Sequence, residues 1–152
     1  MDRIDRRILH ELQQEGRLTN AELAVRVDLT PSPCLRRVRQ LEQDGAILGY
    51  RALLDGAAVG RGFQPFVTIT MRHEDRETVA EFERRVAELP EVVEAHRLFG
   101  EPDYLLRIAV ADIAAYERFI TDVLSGLPGI AQVNSHLTMK RVKADRGIPT
   151  GG

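Results

Sequence analysis

The sequence predicts an α+β protein in two parts, on two observations. Apolar residues recur at helical spacing from residue 4 to about residue 45, and beyond the glycine-rich stretch "GAAVGRGFQ" at 56–64 the period changes to short alternating runs separated by two more helical patterns. With 152 residues, 43% of them hydrophobic, the chain is long enough for two small cores.

In the first part, Ile4, Ile8, Leu9 and Leu12 share one face of a helix that stops at Gly16. "TNAE" at 19–22 has the form of a capping box: Thr19 accepts from the Glu22 N–H and Glu22 reaches back to the Thr19 N–H. It opens a second helix with Leu23, Ala24 and Val27 inside. "DLTPSP" breaks the pattern and starts a third helix, with Thr30 as N-cap and Pro31 at the first helical position, where its missing N–H costs nothing. Leu35, Val38 and Leu41 form the inner stripe of this helix, with Cys34 near the same side. At 100° per residue the outward direction falls on Arg36, Gln40 and Gln43, with Ser32 and Pro33 beside them and Arg37 and Arg39 at the flanks. Three short helices, the last two joined by a tight turn, then the strand-like "ILGYRALLD" after Gly45, follow the order of a winged helix-turn-helix.

The second part begins with "PFVTITMR", whose Val67, Ile69 and Met71 fall on one face of a strand. "TVAEFERRVAEL" is helical with Val79, Phe82, Val86 and Leu89 inside; "VVEAHRLFG" and "YLLRIAV" are strands joined by the turn "GEPD". "DIAAYERFITDVLSGL" is a helix with Asp112 as N-cap and Ile113, Tyr116, Ile120 and Val123 inside, and "IAQVNSHLTMKRV" closes as a strand. The order βαββαβ is the ferredoxin-like split unit. An internal echo agrees with it: Phe82 precedes "LPEVVEA" and Ile120 precedes "LPGIAQV" by the same seven residues, so both helices leave through a Leu-Pro turn into a strand. The expected organisation is 1–50 head, 51–64 connecting strand and linker, 65–143 ferredoxin-like domain and 144–152 tail.

Composition narrows the function classes. No window is apolar enough for a membrane span, and the N-terminus is charged and amphipathic where a signal peptide would be apolar, so a cytoplasmic protein is expected. Cys34 is the single cysteine and the four histidines are scattered, so neither a disulfide nor a metal is expected. The net charge of -2 argues against coating nucleic acid by bulk charge; residues 30–51, however, carry Arg36, Arg37, Arg39 and Arg51 against Glu42 and Asp44 only.

Two readings of the third helix stand side by side: an amphipathic helix with a solvated basic face, or one whose N-terminal end enters a DNA major groove. In the second, Arg36 suits bidentate contact to guanine and Ser32 a base edge or phosphate, with Thr30, Pro33 and Gln40 on the same surface. Arg37, Arg39 and Arg51 suit phosphates, and Thr19 and Asn20 either cap the second helix or add a phosphate contact. In "FGEPDYLLR", Gly100, Pro102 and Asp103 are turn residues; Asp103 can also accept from an ammonium while free N–H groups of the turn meet a carboxylate, the two needs of an α-amino acid. An enzyme is not expected. Ser135 and His136 are adjacent in a strand and face opposite ways, and no nucleophile motif or nucleotide loop accompanies an Asp103–His96 couple.

With these parts in place, "DRIDRRILHELQQEGRLTNAELA", "LTPSPCLRRVRQLEQDGAILGYRALLD", "FGEPDYLLRIAVADIAAYERF", "LPGIAQVNS" and "MKRVK" together resemble the Lrp/AsnC (leucine-responsive/asparagine-regulator) family of feast-or-famine transcription factors over nearly the whole chain. The resemblance implies no cofactor and an amino-acid effector held between dimers. It places Leu98, Gly100, Glu101, Pro102, Asp103, Tyr104 and Leu105 on one wall of the site, and Gln132, Asn134, Ser135, His136 and Thr138 from the last strand on the other. It also implies homodimers that assemble to octamers on pseudo-palindromic double-stranded DNA. The alternative is a ferredoxin-like small-molecule sensor or metabolic module whose helical head binds protein.

Overall fold

Asp2 starts the first helix, α1 (Arg3–Gln14), through a capping box of its own: the Asp5 N–H donates to Asp2 Oδ1 at 2.9 Å and the Asp2 N–H to Asp5 Oδ2 at 2.9 Å. The structure, a computed structural model, describes residues 1–145 and 147–151. The chain divides into one unit made of Met1–Leu53 with Val142–Gly152 and a second made of Leu54–Arg141. The expected tail, 144–152, includes Arg146 and Gly152, which lie outside the described residues.

In the first unit, the expected capping box opens α2 (Asn20–Arg26): the Glu22 N–H donates to Thr19 Oγ1 at 3.2 Å and the Thr19 N–H to Glu22 Oε2 at 2.8 Å. Helix α3 (Pro31–Gln43) begins after Thr30 with proline in its first turn, but the Thr30 side chain makes no capping bond. The core joins Ile8, Leu23, Ala24, Val27, Cys34 and Leu41, with Val38 partly buried against them. The inner stripe of α3 starts one residue earlier than its spacing predicts. Leu35 is 37% exposed while Cys34 is fully buried, because the inner stripe of α3 runs through Cys34, Val38 and Leu41 rather than starting at Leu35. The strand expected after Gly45 does not form among the described residues. Residues 48–55 make no strand pairing among the described residues, and Leu48, Leu53 and Leu54 are exposed. A strand needs a neighbour for its N–H and C=O groups, and this segment has none among the described residues.

The second unit has the expected order: β1 (Phe66–Met71), α4 (Arg76–Glu88), β2 (Val92–Arg97), β3 (Tyr104–Ile108), α5 (Ile113–Arg118) and β4 (Ile130–His136). The strands form an antiparallel sheet in the order β2-β3-β1-β4, and the β2–β3 hairpin aligns Arg97 with Tyr104. Val67, Ile69, Met71, Leu106 and Ile108 face a core closed by Phe82 and Val86 of α4 and by Tyr116, Phe119 and Leu124 of the second helical run. That run departs from the expected single helix. It widens to a π turn at Phe119–Val123 and tightens to a 3₁₀ turn at Leu124–Gly126, where Phe119 and Leu124 are buried, while Ile113, expected inside, is the first residue of α5 and is 64% exposed. Both Leu-Pro turns lead into strands as the echo implies. Gly129, at φ +77°, admits no side chain there because a Cβ would collide with Thr78 and Met71. No helix among the described residues is long and apolar enough to cross a membrane.

Candidate nucleic-acid interface and effector site

The outward face of α3 forms a shallow groove of about 310 Å³ lined by Ser32, Leu35, Arg36, Arg39, Gln40 and Gln43. Arg36 and Arg39 are exposed, and among the described residues neither has a hydrogen-bond or ion-pair partner, so both guanidinium groups are available to a ligand. Gln40 donates to Asp44 Oδ1 at 2.8 Å. Leu35 and Gln43 complete the lining; the apolar period gives no signal that Leu35 belongs to the surface.

Other candidates have partners inside the head. Thr19 caps α2, and Asn20 Nδ2 donates to the Pro31 carbonyl at 2.8 Å, tying the start of α2 to the start of α3. Hydrogen bonds from the Thr19 backbone and hydroxyl hold the Glu22 carboxyl below its usual range. Arg37 turns away from the groove: its Nη1 donates to Asp2 Oδ2 and to Asp5 Oδ1, both at 2.7 Å. Arg51 lies in the exposed, unpaired segment after α3, and Thr30 and Pro33 border the first turn.

In the second unit the "FGEPD" turn is built around Asp103. Its N–H donates to the Ile69 carbonyl at 2.9 Å, its Oδ2 accepts from the Met71 N–H at 2.6 Å, and its carbonyl accepts from the Leu98 N–H at 2.7 Å. Gly100, at φ +88°, supplies the left-handed residue the turn requires, Glu101–Pro102 is cis, and Phe99 stands fully exposed at the tip. Phe99 is not among the residues the sequence singles out; its signal is an aromatic side chain at a turn with no core to enter. Tyr104 lies on the helix side of the sheet, where its OH donates to Glu83 Oε1 at 2.8 Å; burial first, then this bond, pushes its pKa up to about 12. Leu105 lies on the open side, beside Thr68 and His96.

The last strand divides its candidates between the two faces and along its length. Ser135 Oγ and Tyr116 OH are 2.6 Å apart on the helix side, whereas His136 Nε2 is 3.0 Å from Thr68 Oγ1 on the open side, so the two neighbours do face opposite ways. Gln132, bonded to Asn134 at 3.1 Å, pairs with Thr70 near the end of β1 that Asp103 closes. His136 pairs with Phe66 at the other end, about 13 Å along the strand at roughly 3.3 Å per residue. Within one chain, therefore, the turn lies near Gln132 but not near His136 or Thr138. His96 bonds Glu94 at 2.9 Å, not Asp103, and Glu94 also receives Arg107 at 3.1 Å; the His96 bond, then the Arg107 bond, holds the Glu94 carboxyl below its usual range.

Comparison with known proteins adds two matched regions. A family model described as "Winged helix-turn-helix DNA-binding" matches residues 1–47, and one described as "Lrp/AsnC ligand binding domain" matches residues 64–148. The Leucine-responsive regulatory proteins of Escherichia coli K12 and Salmonella typhimurium are each 42% identical over 143 residues, covering 94% of this chain and 87% of theirs. A Neisseria meningitidis transcriptional regulator solved as its L-Met complex superposes with a TM-score of 0.94 at 38% identity, covering 99% of this chain and 97% of that one. An AsnC family transcriptional regulator from Agrobacterium tumefaciens superposes with a TM-score of 0.91 at 40% identity, over 98% of this chain and 97% of that one.

Proposed function

The chain belongs to the Lrp/AsnC family of DNA-binding transcriptional regulators with an effector-binding domain, and from that premise we propose which residues read DNA and which receive the effector. Helix α3 enters the major groove and reads operator DNA with Arg36, assisted by Ser32 and Gln40, while Arg39 and Arg51 hold phosphates. The observation that carries this reading is the groove of α3: two unpaired arginines sit among amide and hydroxyl groups on a helix whose other side is fixed in a core. A homodimer presents two such helices to a pseudo-palindromic site in the cytoplasm, and dimers assemble further, to octamers.

The effector is an α-amino acid bound between copies of the chain. The turn from Leu98 to Leu105 supplies one wall, with Asp103 Oδ1, which has no partner among the described residues, for the ammonium and the Gly100 turn for the carboxylate. Gln132, Asn134 and His136 come to the ligand from the open face of β4 of this or a neighbouring copy and Thr138 from just beyond its end, while Ser135 lies behind them on the helix side, bonded to Tyr116. Gln132 and His136 alone lie about 13 Å apart along the strand, a span better met by two chains than by one. Amino-acid binding then favours one assembly over another and changes DNA affinity by the difference in its affinity for the two.

The test is a gel shift against DNA selected from a random-sequence pool, run with and without L-Met and L-Leu, alongside light scattering. Sequence-selective binding that shifts with an amino acid is the expected result. A head that captures no preferred sequence would instead support a protein-binding module.

A further inference from the structure

All four carboxylate oxygens of Asp2 and Asp5 have a partner in the head. Asp2 Oδ1 and Asp5 Oδ2 accept the two backbone N–H groups of the α1 capping box, and Asp2 Oδ2 and Asp5 Oδ1 accept Nη1 of Arg37 from the middle of α3. The network is closed, and it ties the first turn of α1 to the helix that carries the DNA-reading groove. Asp5 and Arg37 are also the more sheltered members, with side chains 17% and 28% exposed.

On the helical wheel Arg37 lies about 100° from Arg36, on the side of Leu41 and Cys34 that faces the core. It does not line the groove of Ser32, Arg36, Arg39, Gln40 and Gln43. One guanidinium against two carboxylates leaves this cluster net negative, which suits a tether and repels a phosphate. Cys34, Val38 and Leu41 seat the inner side of α3 in the core and the Asn20–Pro31 bond holds its start, so a polar hold at mid-helix narrows the roll about its own axis that apolar packing leaves. Roll matters here because bidentate contact to a base edge tolerates little rotation, whereas attraction to phosphates tolerates much.

We propose that Arg37 is a positioning residue for sequence reading: clasped by Asp2 and Asp5, it sets the roll of α3 so that Arg36 meets its base, and it does not itself contact DNA. The proposal rests on α3 being the reading helix. It is the opposite of what three arginines on one short helix suggest from sequence, where Arg37 counts as another phosphate contact.

The experiment compares wild-type protein, Arg37→Ala, and the double variant Asp2→Asn/Asp5→Asn. The probes are a duplex selected by the wild type from a random pool and a scrambled duplex of the same composition, each titrated over a range of salt, with a thermal melt for every variant. Both variants are expected to lose roughly tenfold or more on the selected duplex, a change of about 1.4 kcal/mol, and to stay within about twofold on the scrambled one, with the salt slope unchanged. The double variant is the sharper arm, since removing two negative charges near DNA should strengthen binding if charge alone mattered. A salt slope shallower by about 0.9 per contact in Arg37→Ala would make Arg37 a phosphate ligand and overturn the proposal. Tighter binding of both duplexes by the double variant would do the same, as would a lower melting temperature with the selected-duplex affinity unchanged, which would leave the cluster only a stabilising role. If the wild type selects no sequence, the assignment of α3 fails, and the proposal with it.

Discussion

Gln13 and Ile148 hold each other through a reciprocal pair of hydrogen bonds: the Ile148 N–H donates to Gln13 Oε1 at 2.6 Å, and Gln13 Nε2 donates to the Ile148 carbonyl at 2.9 Å. A side-chain amide thus pairs with the C-terminal segment as a neighbouring strand would, and Arg6 adds a bond to the Gly151 carbonyl at 3.3 Å. The bonds are exposed, so each contributes toward the low end of about 0.5–1.5 kcal/mol. Gln13→Ala should release the segment: with both bonds lost, about 1 kcal/mol in all, the Ile148 amide exchanges its hydrogen faster by roughly fivefold while the amides of α3 keep their protection. Hydrogen exchange read by mass spectrometry checks this, and an unchanged rate at Ile148 would assign its protection to other contacts.

Asp103 has two roles that its substitutions can separate. Its Oδ2 closes the end of β1 by accepting the Met71 N–H, so Asp103→Ala should destabilise the second unit by about 1–3 kcal/mol, the usual cost of leaving a partly buried donor unpaired. Asp103→Asn keeps an acceptor oxygen but no charge. It should melt close to wild type and yet bind an amino acid at least tenfold more weakly if the carboxylate meets the ammonium. Calorimetry with L-Met or L-Leu decides, whichever the wild type binds, and equal affinity in Asp103→Asn would remove the charge of Asp103 from the site.

Tyr104 makes the fold sensitive to alkali. Buried and bonded to Glu83, its OH keeps its proton up to about pH 12 when folded, against about 10 when unfolded. A raised acid pKa means that the folded state holds the proton more tightly, so this contribution is complete below pH 10 and is lost as the pH rises from about 10 to about 12. Tyr104→Phe should therefore flatten the alkaline fall in stability, by at most about 1.4 kcal/mol per pH unit. Urea unfolding between pH 9 and pH 11, on the order of one unit either side of the free tyrosine value, reads this directly, and parallel curves for the two proteins would contradict it.

What sequence alone reveals here divides by range. The Thr19–Glu22 box, the proline start of α3 and the alternating strands β1 and β3 are local patterns, and the structure shows each of them. The Asp2–Asp5 box is equally local but escapes notice because aspartate stands where the usual pattern has Glu or Gln. Periodicity identifies a buried side of α3 without resolving whether Cys34 or Leu35 occupies it, since the two differ by only 100°. The clasp on Arg37 joins residues 32 and 35 positions apart, and the Gln13–Ile148 pair spans 135. No spacing rule reaches such distances. The segment after Gly45 has strand-forming residues but no strand neighbour among the described residues, so composition alone does not make it a strand.

Arg36 is the residue on which sequence reading should depend most. It is exposed, unpaired among the described residues, and central in the α3 groove, with Ser32 and Gln40 one turn away on either side. A bidentate contact to guanine contributes about 1–3 kcal/mol of discrimination, whereas a phosphate contact affects every sequence alike. Arg36→Ala should therefore weaken binding to a selected duplex by roughly 5- to 150-fold per site and relax the preference at one base position, with a much smaller loss on scrambled DNA. Arg39→Ala should weaken both duplexes by similar factors and reduce the salt slope by about 0.9 per contact. Titrations of the two variants on the two duplexes give four numbers. An equal loss on both duplexes for Arg36→Ala would demote it to a phosphate contact and pass the reading role to its neighbours Ser32 and Gln40.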